Sequence, residues 1–439
     1  MAEAEAGSAG KKPLYTAGYT NYVLGVLVVV YIFNFIDRQI LAILAQSIKE
    51  ELELSDTQIG ALSGVAFGIF YATLGIPIAR LADRYSRVNI ISICLAIWSA
   101  MTAVSGLATN FWQLLIARIG VGIGEAGGSP PSHSLIADYF APNRRSSALG
   151  IYALGIPVGI LFGNFAGGWI NEFFGWRNAF LLVGIPGVLL ALLMKFTVKE
   201  PPRGYSEGRA PSADQVPFMT VLKTMWGYRS FRHISLGAAT QAFVGYGAIA
   251  WMPSFLIRTH DMSSGEVGTA LGLIIGLAGG AGTFLGGFIC DRLGVRDTRW
   301  YMWVPGIGFG VAVPFGAAVY LTDSLALSLF FYCIPAFLSN LYTGPTFGMT
   351  QSLAPLAMRA AASALLLFII NIIGLVFGPT TVGILSDFLK AGWEMSESAA
   401  LRWSLFTCNF VYLLSFLSYM LAARTLKQDL ETTAANDKD

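Results

Sequence analysis

Apolar positions along this chain do not alternate with polar ones but run together, in stretches of about 20 residues or more separated by short polar breaks. Twelve such stretches can be counted, at roughly 19–47, 57–82, 88–108, 111–138, 144–173, 178–199, 230–258, 265–291, 298–321, 325–353, 358–387 and 400–427. As helices rising about 1.5 Å per residue, each is long enough to cross a hydrocarbon core of about 30 Å. The alternating segments of about ten residues that mark an outer-membrane barrel are absent. The pattern predicts an all-α integral membrane protein with twelve transmembrane helices.

Composition agrees with that pattern and removes other classes. The chain has 439 residues, of which 55% are hydrophobic and only 12% charged, with a positive mean hydropathy, too apolar for a water-soluble protein of this length. A formal net charge of +2 is close to neutral and argues against a nucleic-acid partner. Cys94, Cys290, Cys333 and Cys408 fall inside predicted helices without paired spacing, so neither a disulfide frame nor a zinc site is expected.

The basic residues set the expected orientation, because cytoplasmic loops retain them. Lys11 and Lys12, then Arg80, Arg84 and Arg87, then Arg144 and Arg145 fall on one side, as do the many bases between the sixth and seventh stretches. Arg292, Arg296 and Arg299, Arg359, Arg424 and Lys427 continue that side, whereas the other has only Lys49, Arg177, Arg258, Lys390 and Arg402. Both termini are therefore expected in the cytoplasm. Residues 1–18 are polar and rich in Gly and Ala, and the run that follows is too long for a signal-peptide core, so the first helix is expected to be its own insertion signal. The short termini and the lack of any N-x-[ST] sequon fit a bacterial inner (plasma) membrane protein.

One connection stands apart. From Glu200 to Arg229 the chain is rich in Pro, Gly and charge, and reads as an interdomain linker. It divides the helices six and six, into an N-terminal bundle (19–199) and a C-terminal bundle (230–427), with tails at 1–18 and 428–439. The halves echo each other. ARLADRYSR (79–87) follows the second stretch and GFICDRLGVR (287–296) the eighth, each ending a helix in Asp-Arg; GIPVGILFGNFAGGWI (155–170) and NIIGLVFGPTTVGIL (371–385) both carry G-x-x-x-G. Two six-helix halves related by a parallel repeat are what a rocking secondary transporter needs.

These residues carry a family resemblance. ARLADRYSR resembles the loop motif of the major facilitator superfamily, with Ala79 and Ser86 where that motif usually has Gly and Val88 where a second base is common. Gly150, Gly159, Gly163, Gly167 and Gly168 resemble its antiporter motif, with Asn164 in place of the usual Pro; Pro379 keeps the Gly-Pro step in the second half. NFIDRQILA (34–42), with RIGVGIGEAGGSPPSHSLIADYFAPNRRSSALGIY (118–152), is similar to the Spinster group, transporters of sphingosine phosphate and lysophospholipids. The resemblance implies a two-bundle fold, a lipid or other amphipathic substrate, and a monomer.

Against that fold, the charges inside the apolar stretches become candidates for function. An ionisable group at the bilayer centre costs about 2.5–3.5 kcal/mol on insertion scales, so it is expected to face a partner or a water-filled cavity. Asp37 and Arg38 on helix 1, with Arg118 and Glu125 two turns apart on helix 4, can form one buried network of balanced charge. Burial raises a carboxyl pKa and a neighbouring Arg lowers it, so Asp37 and Glu125 are the proton-coupling candidates. Arg38 and Arg118, once freed, suit a phosphate. The alternative is that Asp37 and Arg38 form a static pair tying two helices together. In the second half Thr240, Gln241 and Tyr246 on helix 7, Ser339, Asn340, Tyr342 and Thr343 on helix 10, and Asn371 on helix 11 offer neutral substrate contacts.

The loop motifs suggest gates. Asp83, ending helix 2, is expected to accept hydrogen bonds from the N-terminus of helix 11, and Asp291 to do the same for helix 5, with Arg84, Arg87, Arg292, Arg296 and Asp138 around them. Topology alone can also account for the bases. Gly122-Ile-Gly124-Glu-Ala-Gly127 matches a dinucleotide-binding pattern but lies inside a helix with no preceding strand, where close helix packing explains it better. No Walker sequence, H-E-x-x-H or paired-Cys spacing appears, and the chain holds three His residues in all, so neither ATP-driven transport nor an enzyme is expected. The sequence therefore points to a proton-coupled transporter of a lysolipid or sphingolipid with the proton gradient as its driving force and no cofactor. An uncoupled facilitator, or a carrier of another small organic anion, is the alternative.

Overall fold

The computed structural model describes residues 14–206, 217–355 and 358–436, without the side chains of Asp83 and Asn436. Twelve helical spans are present among them. Spans 1, 3, 6, 7 and 9 are unbroken: Ala17–Glu51, Arg87–Ser105, Trp176–Thr197, Arg229–His260 and Trp300–Leu321. Span 2 is Asp56–Ser63 with Val65–Arg84, span 4 is Phe111–Glu125 with Ser129–Tyr139, and span 5 is Pro142–Ala153 with Gly155–Phe174. Span 10 is Leu325–Leu338 with Thr343–Leu353, and span 12 is Glu397–Asn409 with Tyr412–Asn436. Spans 8 (Ser264–Gly294) and 11 (Arg359–Trp393) each contain a six-residue π-helical segment, Ile274–Gly279 and Asn371–Val376.

The interruptions follow from local sequence. Span 4 breaks at Ala126–Gly128, and Pro130 and Pro131 open the new helix at the positions where a missing N–H costs nothing. The charged residues of span 4 and the polar residues of span 7 lower their hydropathy, and these two spans fall outside the ten described stretches that are individually long and apolar enough to cross a membrane. Large apolar side chains such as Phe196, Phe284 and Leu189 point outward along the bundle, as a lipid-facing surface requires.

Two expected boundaries move. The tail expected at 428–439 is helical through Asn436, held by Asp429 accepting from Ser230 and by Thr433 donating to the Leu353 carbonyl. The 200–229 connection contains a helix, Phe218–Gly227, whose Val221 and Met225 are buried in the core of the second half. Averaging the linker with its Pro-rich start hid that amphipathic ten-residue stretch. Residues 1–13, 207–216 and 437–439 of the expected tails and linker lie outside the described residues.

The repeat is visible in the packing. Spans 2 and 8 both start with a capping box, Ser55 with Gln58 and Ser263 with Glu266. Span 5 approaches span 1 as span 11 approaches span 7: a Cβ added to Gly159 would lie 2.6 Å from the Ile32 carbonyl oxygen, and one added to Gly378 would lie 2.4 Å from that of Phe243. The hydrophobic core is divided unevenly. On the side carrying both termini the core splits into two clusters, one around Leu27, Trp98 and Met194 that takes only Leu375 among its buried residues from the second half, and one around Phe231, Phe309 and Tyr419. On the far side a single cluster runs across both halves, from Leu44 and Phe180 to Trp251, Phe255 and Leu401. The halves are joined on the far side and separate toward the termini.

Candidate functional site

Asp37 and Arg38 are neighbours in sequence and about 100° apart around the helix, so they meet different surroundings. Arg38 lines a central cavity of about 290 Å³ between the halves. Its Nε donates to Glu125 Oε2 at 2.7 Å, and its guanidinium lies 4.4 Å from the Tyr71 ring centroid and 5.2 Å from that of Phe35. Arg118 also lines the cavity, 5.3 Å from the Phe67 ring. Asp37 is turned away, 1% exposed, facing Trp98 and Thr102 on span 3. Helices 1 and 4 thus bring the four predicted charges together, but Arg38 bonds Glu125 rather than Asp37. Both Asp37 oxygens, Glu125 Oε1, and Arg118 Nε and Nη1 have no hydrogen-bond partner.

The opposite wall is uncharged. Gln241, Tyr246, Ser339, Asn340 and Tyr342 face the cavity as expected, and Gln241 Nε2 donates to the Ser339 carbonyl at 3.2 Å. Thr240, Thr343 and Asn371 do not line it. Thr240 is a helical step away from Gln241 and shares a 2.8 Å hydrogen bond with Ser415 on span 12; Thr343 bonds the Asn340 carbonyl behind the break in span 10; Asn371 is buried at the start of the π segment of span 11. Sequence reasoning missed Tyr320, Tyr332, Asn409 and Tyr412, which complete the wall from spans 9, 10 and 12. With Tyr246 and Tyr342 they give it a mostly aromatic face.

Beyond the cavity, the far side is closed by a polar cluster centred on Asp56, at the start of span 2. Asp56 takes Arg258 Nη1 and Nη2 at 2.9 Å each, Lys49 Nζ at 2.9 Å and Ser386 Oγ at 2.7 Å. The backbone N–H groups of Asp56 and Thr57 donate in turn to the Asp387 carboxylate, at 3.2 and 2.7 Å. Asp56 and Lys49 belong to the first half, Arg258, Ser386 and Asp387 to the second, so every bond but one crosses the seam. Across the same seam Gly265 at the start of span 8 donates to Glu172 at 2.8 Å. Close backbone contact fills the rest: a Cβ on Gly383 would lie 2.3 Å from the Asp56 carbonyl oxygen. The signal for this cluster was the scarcity of bases on that side, since Lys49 and Arg258 are two of its five.

The sequence profile of the Major Facilitator Superfamily matches residues 27–379. Protein spinster homolog 1 of Mus musculus is 30% identical over 434 residues, spanning 94% of this chain and 82% of that protein. The chain belongs to the Spinster group of the major facilitator superfamily. An MFS-type efflux pump of Mycolicibacterium smegmatis is 34% identical over 93% of each chain. Among solved structures, a bacterial homologue of the human lysosomal transporter Spinster, in an inward-facing and unoccupied conformation, superposes with a TM-score of 0.87 at 34% identity, over 94% of this chain and 99% of that one. As a Spinster-type facilitator it is a multi-pass membrane transporter and not an enzyme.

In this Spinster-type transporter the loop-motif residues on the terminus side hold one half together. Arg87, 1% exposed, donates to Asp138, to Ser134 and, at 2.7 Å, to Glu200, while Gly204 N donates to Asp138 at 3.0 Å. These bonds pin the first residues of the linker to spans 3 and 4, so Arg87 and Asp138 bond within the first half rather than across a gate. Asp291, expected at the N-terminus of helix 5, accepts from Tyr301 of its own half at 3.0 Å. Arg84, Arg292 and Arg296 are exposed, and the Asp83 carboxylate lies outside the described residues. The G-x-G-x-x-G run packs helices as expected: Gly122 abuts Phe67, Gly124 abuts Trp98 and Gly127 abuts Cys94.

Proposed function

We propose that this transporter moves an amphipathic lipid with a phosphate-bearing headgroup, of the lysophospholipid or sphingosine phosphate type, driven by protons through alternating access. The observation that carries the reading is the split of the span 1 and span 4 charges: two guanidinium groups face the cavity while the two carboxyls sit behind them. A guanidinium fork suits a phosphate, and the aromatic, uncharged wall opposite suits an acyl or sphingoid chain. Glu125 holds Arg38 by one hydrogen bond; protonating Glu125 removes that acceptor charge and releases Arg38 to the headgroup. Asp37 is the second proton-exchanging group, and Arg118 the second phosphate ligand. The positive-inside bias supports a bacterial inner membrane orientation with both termini, and the side on which the halves separate, in the cytoplasm, and the protein acts as a monomer.

The test is transport in proteoliposomes that contain a pH-sensitive dye, with lysophosphatidylethanolamine or sphingosine phosphate supplied under an imposed pH gradient, for wild type and Asp37→Asn. Lipid-dependent proton flux that Asp37→Asn abolishes, with folded protein retained, is the expected result. Lipid movement indifferent to the gradient leaves an uncoupled facilitator. A second reading, export of amphipathic organic compounds, draws on the mycobacterial efflux relative and the same aromatic wall. Proton flux evoked by an amphipathic dye but by neither lipid would favour it.

A further inference from the structure

Asp37 is surrounded by unspent hydrogen-bonding capacity of the complementary kind. Its two carboxylate oxygens are buried acceptors without a donor, and Trp98 Nε1 and Thr102 Oγ1 are buried donors without an acceptor. Trp98 and Thr102 are both fully buried and lie four residues apart on span 3, so they stand on one face, one turn from each other, and that face is turned to Asp37. The indole reaches this place because span 4 is stripped of side chains beside it: a Cβ on Gly124 would lie 2.7 Å from Trp98 Cβ, and Gly128 leaves the outer indole edge at ordinary contact distance. Buried polar groups in folded proteins are nearly always paired, and here the two donors and the carboxylate have one another as complementary partners. The charged groups that face Asp37 are Glu125 and Arg118, both on span 4; span 3 contributes only the neutral donors.

We infer that Trp98 and Thr102 are a positioning pair for Asp37, two donors that take its carboxylate when its proton leaves. This rests on the proton-coupled reading above. In the step itself the Asp37 O–H bond breaks, the proton passes to water, and the two oxygens accept hydrogen bonds from Trp98 Nε1–H and Thr102 Oγ–H. The charged form is thereby held without drawing Arg118 off the cavity wall. Span 3 does not line that cavity, so the pair acts on coupling and leaves substrate affinity alone.

The experiment follows the carboxylic-acid C=O infrared band of the purified protein against pH, with no substrate present, in wild type, Asp37→Asn, Thr102→Val, Thr102→Ser and Trp98→Phe. Proton flux evoked by lysophosphatidylethanolamine or sphingosine phosphate is measured alongside. A band that vanishes in Asp37→Asn identifies the group. Its midpoint is expected to move by about one pH unit in Thr102→Val and in Trp98→Phe, because a lost donor disfavours the charged form. Thr102→Ser restores the wild-type midpoint, and KM for the lipid stays within about twofold in all three. In the Asp37→Asn background, adding Thr102→Val changes proton flux no further. If Asp37→Asn removes a titrating band whose midpoint Thr102→Val and Trp98→Phe leave in place, the positioning pair is overturned and proton coupling at Asp37 stands. If no band titrates differently in Asp37→Asn, the proton role of Asp37 itself is overturned. Thr102→Val is nearly isosteric, so the test survives misfolding of Trp98→Phe.

Discussion

The two ends of the bundle spend their acids differently. On the far side, the acid near the end of span 11, Asp387, takes the N–H groups that open span 2, and the acid near the end of span 5, Glu172, takes the N–H that opens span 8. A helix N-terminus carries about half a positive charge and unpaired donors, so a carboxylate from the other half closes it well. On the terminus side the corresponding acids of the repeat end spans 2 and 8, and the loop motifs would pair them with the N-termini of spans 11 and 5. There Asp291 is spent on Tyr301 within its own half, and the two cores stay separate. If the halves rock about the cavity, as in the proposed alternating access, one set of contacts would form as the other breaks.

The far-side clasps are themselves unequal, and that gives the largest expected effect. Asp56 and Arg258 form a doubly hydrogen-bonded pair with side chains 3% and 5% exposed. Removing one partner of a buried pair typically costs about 3–5 kcal/mol, and Lys49, which stays against Asp56, puts the loss of Arg258 toward the lower end of that range. Arg258→Ala is therefore expected to open the far side in most molecules. The measurement is labelling of a cysteine placed at Thr380, in a cysteine-free background, by a membrane-impermeant maleimide applied from the far side. Labelling unchanged from the Arg258 parent would show that backbone contact, not the ion pair, holds the seal.

Asp387→Asn comes next. It keeps the shape but loses the charge at the start of span 2, an effect on the order of 1 kcal/mol, or about a fivefold rise in the same labelling. Glu172→Gln removes charge from a single N–H contact, for an expected rise of about twofold. Equal effects from the two would mean that the halves close symmetrically and that Asp56 with Arg258 adds nothing to its side.

Much of this was legible in the sequence, and the misses have physical causes. The twelve spans, the six-and-six division and the clustering of Asp37, Arg38, Arg118 and Glu125 follow from apolar run length and from the cost of charge in lipid, both of which act locally. Thr240, Thr343 and Asn371 were misplaced because facing a cavity depends on helix rotation, and spans 10 and 11 break their own period, at Ser339–Tyr342 and in the π segment. The Asp56 cluster assembles residues from spans 1, 2, 7 and 11, some more than 300 positions apart in sequence, and no local pattern brings them together. Its only trace was that the side poor in bases spends two of them there.

The smallest effect has the opposite sign and tests the exchange most directly. Asp291→Asn touches no bond of the far-side seal, and its present partner, Tyr301, is exposed enough to bond water instead. If Asp291 clasps span 5 only when the terminus side closes, the substitution weakens the far-side-open state alone, by about 0.3–1 kcal/mol. Labelling at Thr380→Cys should then fall slightly below wild type, where Asp387→Asn raises it. Combining the two substitutions should bring labelling back toward wild type, since the sites act on different states of one equilibrium. A rise in the Asp291→Asn single variant would mean that the terminus-side acid supports the present conformation, and the two ends would then not be exchanging one clasp for the other.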